Sequence, residues 1–309
     1  MRLSLPRGTR PARASRPPAQ GCYSGMVDDR SGLLRPYREP VVFEPADFAA
    51  HLASRGLLPT RPVPEAAILC YQRSLVRRAQ ADRGALPAGG ALSSLYVLPE
   101  GAPAITSGYG IGAPAAASTM EELIALGCRR FVSIGIAGCL QRAVGVGDLV
   151  LCTSAVCDEG TSLRYGETGR RLRPSASLTR RLAAALEAVA GPAEASVEGP
   201  DATPGVGRVP PADAPSRPRL FSGPTWTVDA VYRETVETAR VLRAEGVLTV
   251  EMEASALFTV AAYRGVEVAA AFTVSDSLAD LTWVPDFDNP AIGRGLELLL
   301  EAAETALRE

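Results

Sequence analysis

The chain has 309 residues, enough to bury a full hydrophobic core in one large domain or two. Its hydrophobic content of 47% is ordinary for a globular protein, and 32 basic against 34 acidic residues leave a net charge of −2. This balance gives no electrostatic footprint for nucleic acid or for an anionic membrane. Since no apolar run approaches the roughly 18 residues of a membrane-spanning helix, we expect neither nucleic acid nor membrane as a partner.

The cysteine and histidine content narrows the chemistry further. Six cysteines are scattered without the spacing of a disulfide framework, which favours reduced thiols and a cytoplasmic location. A metal site built from Cys152, Cys157 and His51 is disfavoured, so we predict no metal and no cofactor. His51 is the only histidine. An enzyme of the Ser-His-Asp or Cys-His type is therefore not expected unless His51 is its base.

In chain order, the first segment is residues 1–38, rich in Arg, Pro, Ala and Gly and without the apolar stretch of a secretory signal. We predict a disordered extension there, or a true start at Met26. Residues 39–309 are predicted to form one catalytic domain. Within it, residues 190–219 are dense in Pro, Gly, Ala and Asp and are predicted to be a flexible insertion.

The remaining segments alternate between helical and strand patterns. This alternation indicates an α/β fold: a single three-layer domain with a central mixed, mostly parallel sheet flanked by helices. The patterns predict helices over 45–57, 75–82, 114–126, 177–189, 252–264 and 290–307. They predict strands over 66–71, 92–98, 104–107, 131–136, 148–156, 246–251 and 266–274.

Acidic side chains follow two of the predicted strands. The run that begins at Gly246 delivers Glu251 and Glu253, and the run Val268–Val274 leads directly into Ser275 and Asp276. In open α/β sheets, ligands collect at the carboxyl ends of the strands. A buried carboxylate is costly without a partner, so acids at such a place indicate a functional site.

A glycine loop precedes the predicted helix over 114–126. Gly108, Gly110 and Gly112 allow backbone N–H groups to approach an anion or a sugar, although a tight turn explains at least one of them equally well. The spacing is G-x-G-x-G rather than the G-x-G-x-x-G of dinucleotide-binding folds. A nicotinamide-dependent oxidoreductase is therefore disfavoured.

Several segments together resemble the superfamily of purine nucleoside phosphorylases, uridine phosphorylases and nucleosidases. One such motif alone would be weak, but their common order from about Pro64 to Glu309 is specific. The matching segments are VEMEASALF at 250–258, TVSDSLAD at 273–280, TSGYGIGAP at 106–114, SIGIAG at 133–138, DEGTS at 158–162 and GPTWTVD at 223–229.

The resemblance assigns a role to the acids that follow the strand run at 246–251. It implies that Glu253 holds the 2′- and 3′-hydroxyls of a ribose and that Met252 packs under the sugar. Cleavage of an N-glycosidic bond develops oxocarbenium charge on the sugar, and a carboxylate that binds its hydroxyls gains strength as this charge grows. The alternative is that Glu251 or Glu253 caps the helix that starts here, since acids favour a first helical turn.

At the second strand end, the resemblance implies that Asp276, beside Ser275, protonates N7 of a departing purine. To donate a proton near pH 7 the carboxyl needs a raised pKa, which the apolar neighbours Val274 and Phe272 would supply. The alternative is that Asp276 caps a following helix.

The base pocket departs from the uridine-specific pattern. Val231 takes the place of a base-stacking Phe, and Thr235 and Glu237 take the places of the Gln and Arg that read uracil. We therefore expect a purine rather than uracil. Tyr232 and Trp226 are candidate stacking partners or ordinary core aromatics.

The phosphate site also departs from the phosphorylase pattern. Where phosphorylases carry Gly-Asp-Pro-x-Arg, this chain reads Tyr71-Gln72-Arg73-Ser74-Leu75, and Ser133 and Ile136 replace a second Arg and a hydroxyl. Arg73 and Ser133 are the residues we assign to phosphate, with Arg77, Arg78 or an Arg of a neighbouring subunit as substitutes. The loop Gly135-Ile136-Ala137-Gly138 resembles the nucleosidases as well. Its residues Gly135, Ile136 and Ala137, with Gly110, are expected to contact substrate.

Together these features predict cleavage of the N-glycosidic bond of a nucleoside, with inorganic phosphate as co-substrate and free base and ribose 1-phosphate as products. A phosphate-independent nucleosidase and a non-catalytic nucleoside-binding protein of the same fold remain the alternatives. The resemblance also implies a homo-oligomer, either a dimer or a hexamer.

Overall fold

The computed structural model describes residues 40–92, 94–99, 101–167, 169–194 and 217–308. The predicted extension over 1–38 and most of the predicted insertion over 190–219 lie outside these residues. The helices are α1 Pro45–Ser54, α2 Arg73–Arg83, α3 Ala113–Ala125, α4 Thr161–Arg164, α5 Ala176–Ala190, α6 Val236–Ala244, α7 Ala254–Arg264 and α8 Pro290–Arg308, with a 3₁₀ helix at Val231–Arg233. The strands are β1 Ala66–Cys70, β2 Leu86–Pro87, β3 Leu95–Val97, β4 Ala104–Thr106, β5 Arg130–Cys139, β6 Leu149–Asp158, β7 Arg171–Leu172, β8 Leu220–Val228, β9 Thr249–Glu251, β10 Glu267–Ser277 and β11 Val284–Pro285.

The strands join in one mixed sheet with the order β11-β10-β6-β8-β9-β5-β1-β4-β3-β2, and β7 pairs with β6. The long pairings, β10 with β5 and β6 with β8, are parallel, while the antiparallel pairings are short. Strand β10 pairs with β5 as well as β6, so β10, β6, β8, β9 and β5 close into a ring. The predicted fold class is confirmed. Ring closure was not predicted, because a sequence pattern does not say which strands pair.

Helices cover the sheet on two faces, and β1 shows how the sequence produces this. Side chains of a strand alternate between faces. Accordingly Ile68 packs in a cluster with α5 and α8, whereas Ala67 and Leu69 pack in a cluster with α3 and α7. Because both faces are buried, the strand is a continuous apolar run. In the described part of the chain, no helix has the length and apolar character to cross a membrane.

The helix predicted over 252–264 is α7 in the structure, and it begins at Ala254, two residues later than predicted. Its last residue is Arg264, and Gly265 follows with a φ of 67°, which glycine readily adopts. Met252 and Glu253 therefore belong to the connection between β9 and α7. Their side chains are placed by this short turn at the carboxyl end of a buried strand.

A β-bulge in β10 positions the other acid. The register between β10 and β5 runs from Thr273 opposite Ile136 to Val274 opposite Ala137, then shifts so that Asp276 is opposite Gly138. Ser275 is the extra residue. A bulge re-aims the side chains that follow it, and bulges occur often beside functional sites. Asp276 is thus paired with Gly138 of β5, a residue that has no side chain.

Candidate active site

A cavity of about 680 Å³ lies at the carboxyl ends of β1, β5, β9 and β10, a volume in the range of small-molecule sites. Its wall is mostly apolar, with four carboxyl groups among the lining residues. The lining residues are Tyr71, Gln72, Ile111, Ile136, Ala137, Gly138, Val231, Tyr232, Glu234, Thr235, Val236, Ala239, Val250, Glu251, Met252, Glu253, Ser275, Asp276, Leu278, Leu281, Thr282, Trp283 and Phe287.

Glu253 is held in this wall by the glycine loop. The backbone N–H of Gly112 donates to its Oε1 over 2.5 Å, across 141 residues of sequence. The backbone N–H of Gly112, at the end of the glycine loop, therefore binds a carboxyl group of the protein itself. This bond fixes the orientation of the Glu253 carboxyl group in the cavity wall.

Glu251 is satisfied by protein donors. Its Oε2 accepts hydrogen bonds of 2.8 Å from the backbone N–H groups of Glu253 and Ala254, and its Oε1 accepts one of 2.6 Å from the Thr227 hydroxyl. These bonds to the first turn of α7 match the capping interpretation of Glu251. The residue still forms part of the cavity wall, beneath Glu253.

The environments of both glutamates favour their protonated forms. Burial is the main cause of the raised pKa of Glu253, and the charge of Glu251 adds to it. Burial likewise raises the pKa of Glu251, against the lowering effect of its hydrogen bonds from Thr227 and the α7 backbone. The charge of Glu251 opposes ionisation of Glu253, so the two acids titrate as a coupled pair.

Asp276 lines the cavity where β10 ends. Its Oδ1 accepts a hydrogen bond of 2.7 Å from the Ser275 hydroxyl, and its Oδ2 accepts one of 2.9 Å from the indole of Trp283. A Cβ at Gly138 would come within 3.1 Å of Oδ2. Both oxygens of Asp276 are therefore acceptors here, a geometry that serves a carboxylate.

Glu234 is a second acid at this end of the cavity. It follows the 3₁₀ helix Val231–Arg233 and precedes α6. Burial raises the pKa of Glu234 to about 7, and the negative charge of Asp276 contributes. Glu234 and Asp276 therefore both line this part of the cavity, close enough for the charge of Asp276 to act on Glu234.

Tyrosines fill the end of the cavity where β1 stops. The Tyr71 hydroxyl lies 3.0 Å from the Ser133 hydroxyl, and a Cβ at Gly135 would be 2.9 Å from Cδ2 of Tyr71. Tyr71 also packs edge-on against Tyr109, with ring centroids 5.7 Å apart. The buried Tyr109 hydroxyl has no hydrogen-bond partner in the described ranges.

Cations are missing from the cavity wall as far as the structure describes it: its residues include no Arg, Lys or His. Arg73, assigned to phosphate from the sequence, is exposed and lies outside the wall. Its Nε is 2.8 Å from the position that a Cβ of Gly108 would take, so its side chain runs against the glycine loop. The acid-rich wall is unfavourable for an oxyanion.

The structure brings most of the sequence-predicted site residues together. Those in the cavity wall are Glu251, Met252, Glu253, Ser275, Asp276, Ile136, Ala137, Val231 and Tyr232. Those outside the wall are Gly110, Gly135, Trp226, Arg73 and Ser133. Gly135 and Ser133 both lie against Tyr71, which lines the cavity while they do not.

The two aromatic candidates for base stacking occupy different places. Trp226 is only 2% exposed, packs in the core with Val228 and Leu242, and donates its indole N–H to Asp158 over 3.0 Å. The structure thus favours the core interpretation of Trp226 over base stacking. Tyr232 is 97% exposed at the rim of the cavity, where its ring is free to cover a ligand.

Sequence reasoning missed several wall residues. Glu234 lies in the segment that resembles the uracil-reading pattern, but the comparison concerns only Val231, Thr235 and Glu237 and passes over Glu234. Trp283 and Phe287 come from the segment after β10, and no motif marks them. The signal in the sequence was weak: Trp283 is one of only two tryptophans, and it follows the candidate acid Asp276 by seven residues.

The fold and site define an α/β protein with a cavity of small-molecule size at the ends of its strands, lined by four carboxyl groups. A family model described as the phosphorylase superfamily matches residues 82–303. The chain therefore belongs to the phosphorylase superfamily.

Individual relatives support this membership. A guanosine phosphorylase of Halorubrum lacusprofundi is 31% identical over 169 residues, which are 55% of this chain and 59% of the relative. A DeoD-type purine nucleoside phosphorylase of Caldanaerobacter subterraneus subsp. tengcongensis is 32% identical over 173 residues, 55% of this chain and 63% of the relative. The chain thus spans about three fifths of the length of these relatives.

A solved structure resembles the fold more completely. The crystal structure of uridine phosphorylase from Vibrio fischeri ES114 superposes with a TM-score of 0.61 and covers 80% of this chain and 93% of its own. The identity is 23%, so this likeness concerns the fold.

Proposed function

We propose that the protein cleaves the N-glycosidic bond of a nucleoside, with a purine as the base. The observation that carries the proposal is that Glu253 and Asp276, delivered by different strands, line the same cavity. The names of the relatives, phosphorylases of guanosine, purine nucleosides and uridine, support a nucleoside as the ligand.

At the sugar end, Glu253 is the group that meets the ribose hydroxyls. Its fixed oxygen orients the carboxyl group, and its raised pKa means that little negative charge faces the resting sugar. When positive charge develops on the ribose, the ionised form of Glu253 becomes favourable. The interaction is therefore stronger in the transition state than in the ground state, which is the requirement for catalysis.

At the base end, Asp276 and Glu234 face the leaving group. A purine anion leaves poorly, and a proton delivered to a ring nitrogen makes it a better leaving group. Uracil presents two carbonyl oxygens, which carboxylates repel. Two acids and exposed aromatic rings, among them those of Trp283 and Phe287, line the cavity here. This combination supports a purine as the base of the substrate.

Water is the nucleophile that this geometry favours. The described wall has no cation to hold a phosphate, and Ser133, whose hydroxyl contacts that of Tyr71, is not part of this wall. The products would then be the free base and ribose. Phosphorolysis to ribose 1-phosphate is the second candidate, supported by the names of the relatives.

The test is base release from adenosine, inosine, guanosine, uridine and methylthioadenosine, each with and without phosphate, followed by chromatography of base and sugar products. Equal rates in phosphate-free buffer with ribose as the product would establish hydrolysis. Strict phosphate dependence would establish phosphorolysis. Calorimetric binding of a nucleoside without base release over hours would instead show a non-catalytic binding protein.

Two further expectations belong to the same proposal. Free thiols at Cys70, Cys128, Cys139, Cys152 and Cys157 support a reducing cytoplasmic location. A homo-oligomer, which the family resemblance implies, is tested by light scattering coupled to size-exclusion chromatography.

A further inference from the structure

We propose, on the basis of the function proposed above, that Glu234 and not Asp276 supplies the proton to the departing base. In this assignment Asp276 is the acceptor that orients the base, and Glu234 is the general acid. The cavity holds four carboxyl groups, and the partners of each group decide which one has a proton to give.

Protein donors already engage three of the four groups. Glu251 accepts from Thr227 and from the backbone at the start of α7, and Glu253 accepts from the backbone of Gly112. Asp276 accepts on both oxygens, from Ser275 and from Trp283. Hydrogen bonds from neutral donors are stronger to an ionised carboxylate than to a protonated carboxyl group, so the two donors of Asp276 favour its role as an acceptor.

Glu234 differs from these three. Among the described residues its carboxyl group has no hydrogen-bond or ion-pair partner, although it is partly buried in the cavity wall. A protonated carboxyl here keeps its O–H free to donate to a ligand. Its partial exposure also leaves a path by which solvent returns the proton after each turnover.

The charges around Glu234 favour this role. Asp276 of β10 is the neighbour whose negative charge opposes ionisation of Glu234, and burial acts in the same direction, raising its pKa to about 7. A partly buried acid beside a second negative charge is an environment that supports a general acid near pH 7. Other ionisable groups of the same wall or of the flanking sequence are Tyr71, Tyr232, Arg233, Glu237, Glu251 and Glu253.

Cleavage of the C1′–N bond by this route needs no reactant other than the nucleophile. The C1′–N bond breaks and its electron pair stays with the base, while the Glu234 O–H proton moves to a ring nitrogen of that base. An oxygen of water or phosphate bonds to C1′, and with water the second proton passes to solvent. Glu234 is left as a carboxylate and is reprotonated from solvent.

The experiment compares pH profiles of kcat for the full chain on the nucleoside that it cleaves fastest. A general acid must be protonated to act, so kcat of the wild type should fall as pH rises through about 7, the raised pKa of Glu234. Glu234→Gln should lower kcat by about 10²-fold or more and abolish this alkaline limb. Glu234→Asp should recover part of the rate and the limb.

A matched control is Glu237→Gln, since Glu237 pairs with Arg240 on the surface and lies outside the cavity wall. It should leave both kcat and the limb unchanged. A second measurement uses p-nitrophenyl β-D-ribofuranoside, whose leaving group departs without a proton. On this substrate Glu234→Gln should be within about twofold of the wild type, because only the proton-transfer contribution is lost.

Two results would overturn the assignment. One is an unchanged kcat and alkaline limb in Glu234→Gln. The other is a limb that disappears in Asp276→Asn but persists in Glu234→Gln, which would return the acid role to Asp276. If the wild type releases no base from any nucleoside, the proposed function itself fails, and the two failures are thereby distinguished.

Discussion

The indole N–H of Trp283 donates a 2.9 Å hydrogen bond to Oδ2 of Asp276. The chain reverses after β10, and the short strand β11 pairs antiparallel with it, Asp276 opposite Pro285 and Ser277 opposite Val284. This reversal brings Trp283 back beside Asp276, seven residues earlier in the chain. An aromatic ring at the base end therefore also fixes the orientation of a carboxylate.

Replacing Trp283 by Phe should separate these two roles, since Phe keeps a ring and removes the donor. A hydrogen bond to a charged group contributes roughly 1.5–3 kcal/mol, so we expect kcat/KM to fall by about tenfold or more. Steady-state kinetics on the preferred nucleoside measure this. An unchanged kcat/KM would mean that Asp276 keeps its orientation without the indole.

Asp276→Asn tests the acceptor at the base end. The amide keeps the shape but loses the negative charge and presents donors to its own donors Ser275 and Trp283. We expect kcat on purine nucleosides to fall by about 10²-fold, the scale for loss of a group that assists proton transfer. Wild-type kcat in this variant would remove Asp276 from the mechanism.

Glu253→Gln tests the sugar end. Because the interaction of Glu253 with the ribose strengthens as positive charge develops, kcat should fall more than ground-state affinity. Substrate Kd from calorimetry, compared with kcat from initial rates, makes this measurement. If affinity falls and kcat does not, Glu253 contributes only to ground-state binding.

The buried glutamate pair also predicts how stability depends on pH. The pKa of Glu253 is raised to about 8 from the ordinary 4.5, so the folded state holds a proton that the unfolded state releases. This contribution is full below about pH 4.5 and is lost as pH rises through about 8, with a slope of up to about 1.4 kcal/mol per pH unit. Stability should therefore fall between these values. Urea unfolding from pH 5 to 9 measures the slope, and Glu253→Gln should reduce it; an equal slope in both proteins would contradict the shift.

The cation-free wall predicts a response to phosphate alone. A ligand that binds the folded state raises Tm, and at a hundredfold excess over its Kd it contributes about 2.7 kcal/mol. We expect inorganic phosphate at millimolar concentration to leave Tm unchanged relative to chloride at equal ionic strength. A saturable rise with phosphate would show that a cation, such as Arg73, reaches the ligand, and Arg73→Gln would then abolish that rise.

The acids at strand ends were predictable because burial and chain position are both visible in sequence. Glu253 follows an apolar run, Asp276 follows another, and parallel strands bring their carboxyl ends to one edge. The pairing of β10 with β5, which closes the ring of strands, was not visible in the sequence, because it depends on contacts between strands that are distant along the chain. The fold class could be inferred from alternation alone.

The rest of the site depends on where connecting segments pass, and no periodic pattern governs that. Glu234 and Trp283 reach the cavity from segments that are remote from each other along the chain. Trp226 shows the converse: it lies in a segment that matches the family, yet its strand turns its ring into the core. Residue type and neighbourhood in sequence do not fix the direction of a side chain.

The single extra residue in β10 makes this site adjustable by length as well as by composition. Deleting Ser275 would leave Val274 opposite Ala137 and Asp276 opposite Gly138, so the later residues would keep their partners while the local bulge disappears. A one-codon deletion here would therefore re-aim the Asp276 carboxyl group and remove its Ser275 donor in one step. Design libraries aimed at new leaving groups should vary strand length at this point before they vary side chains.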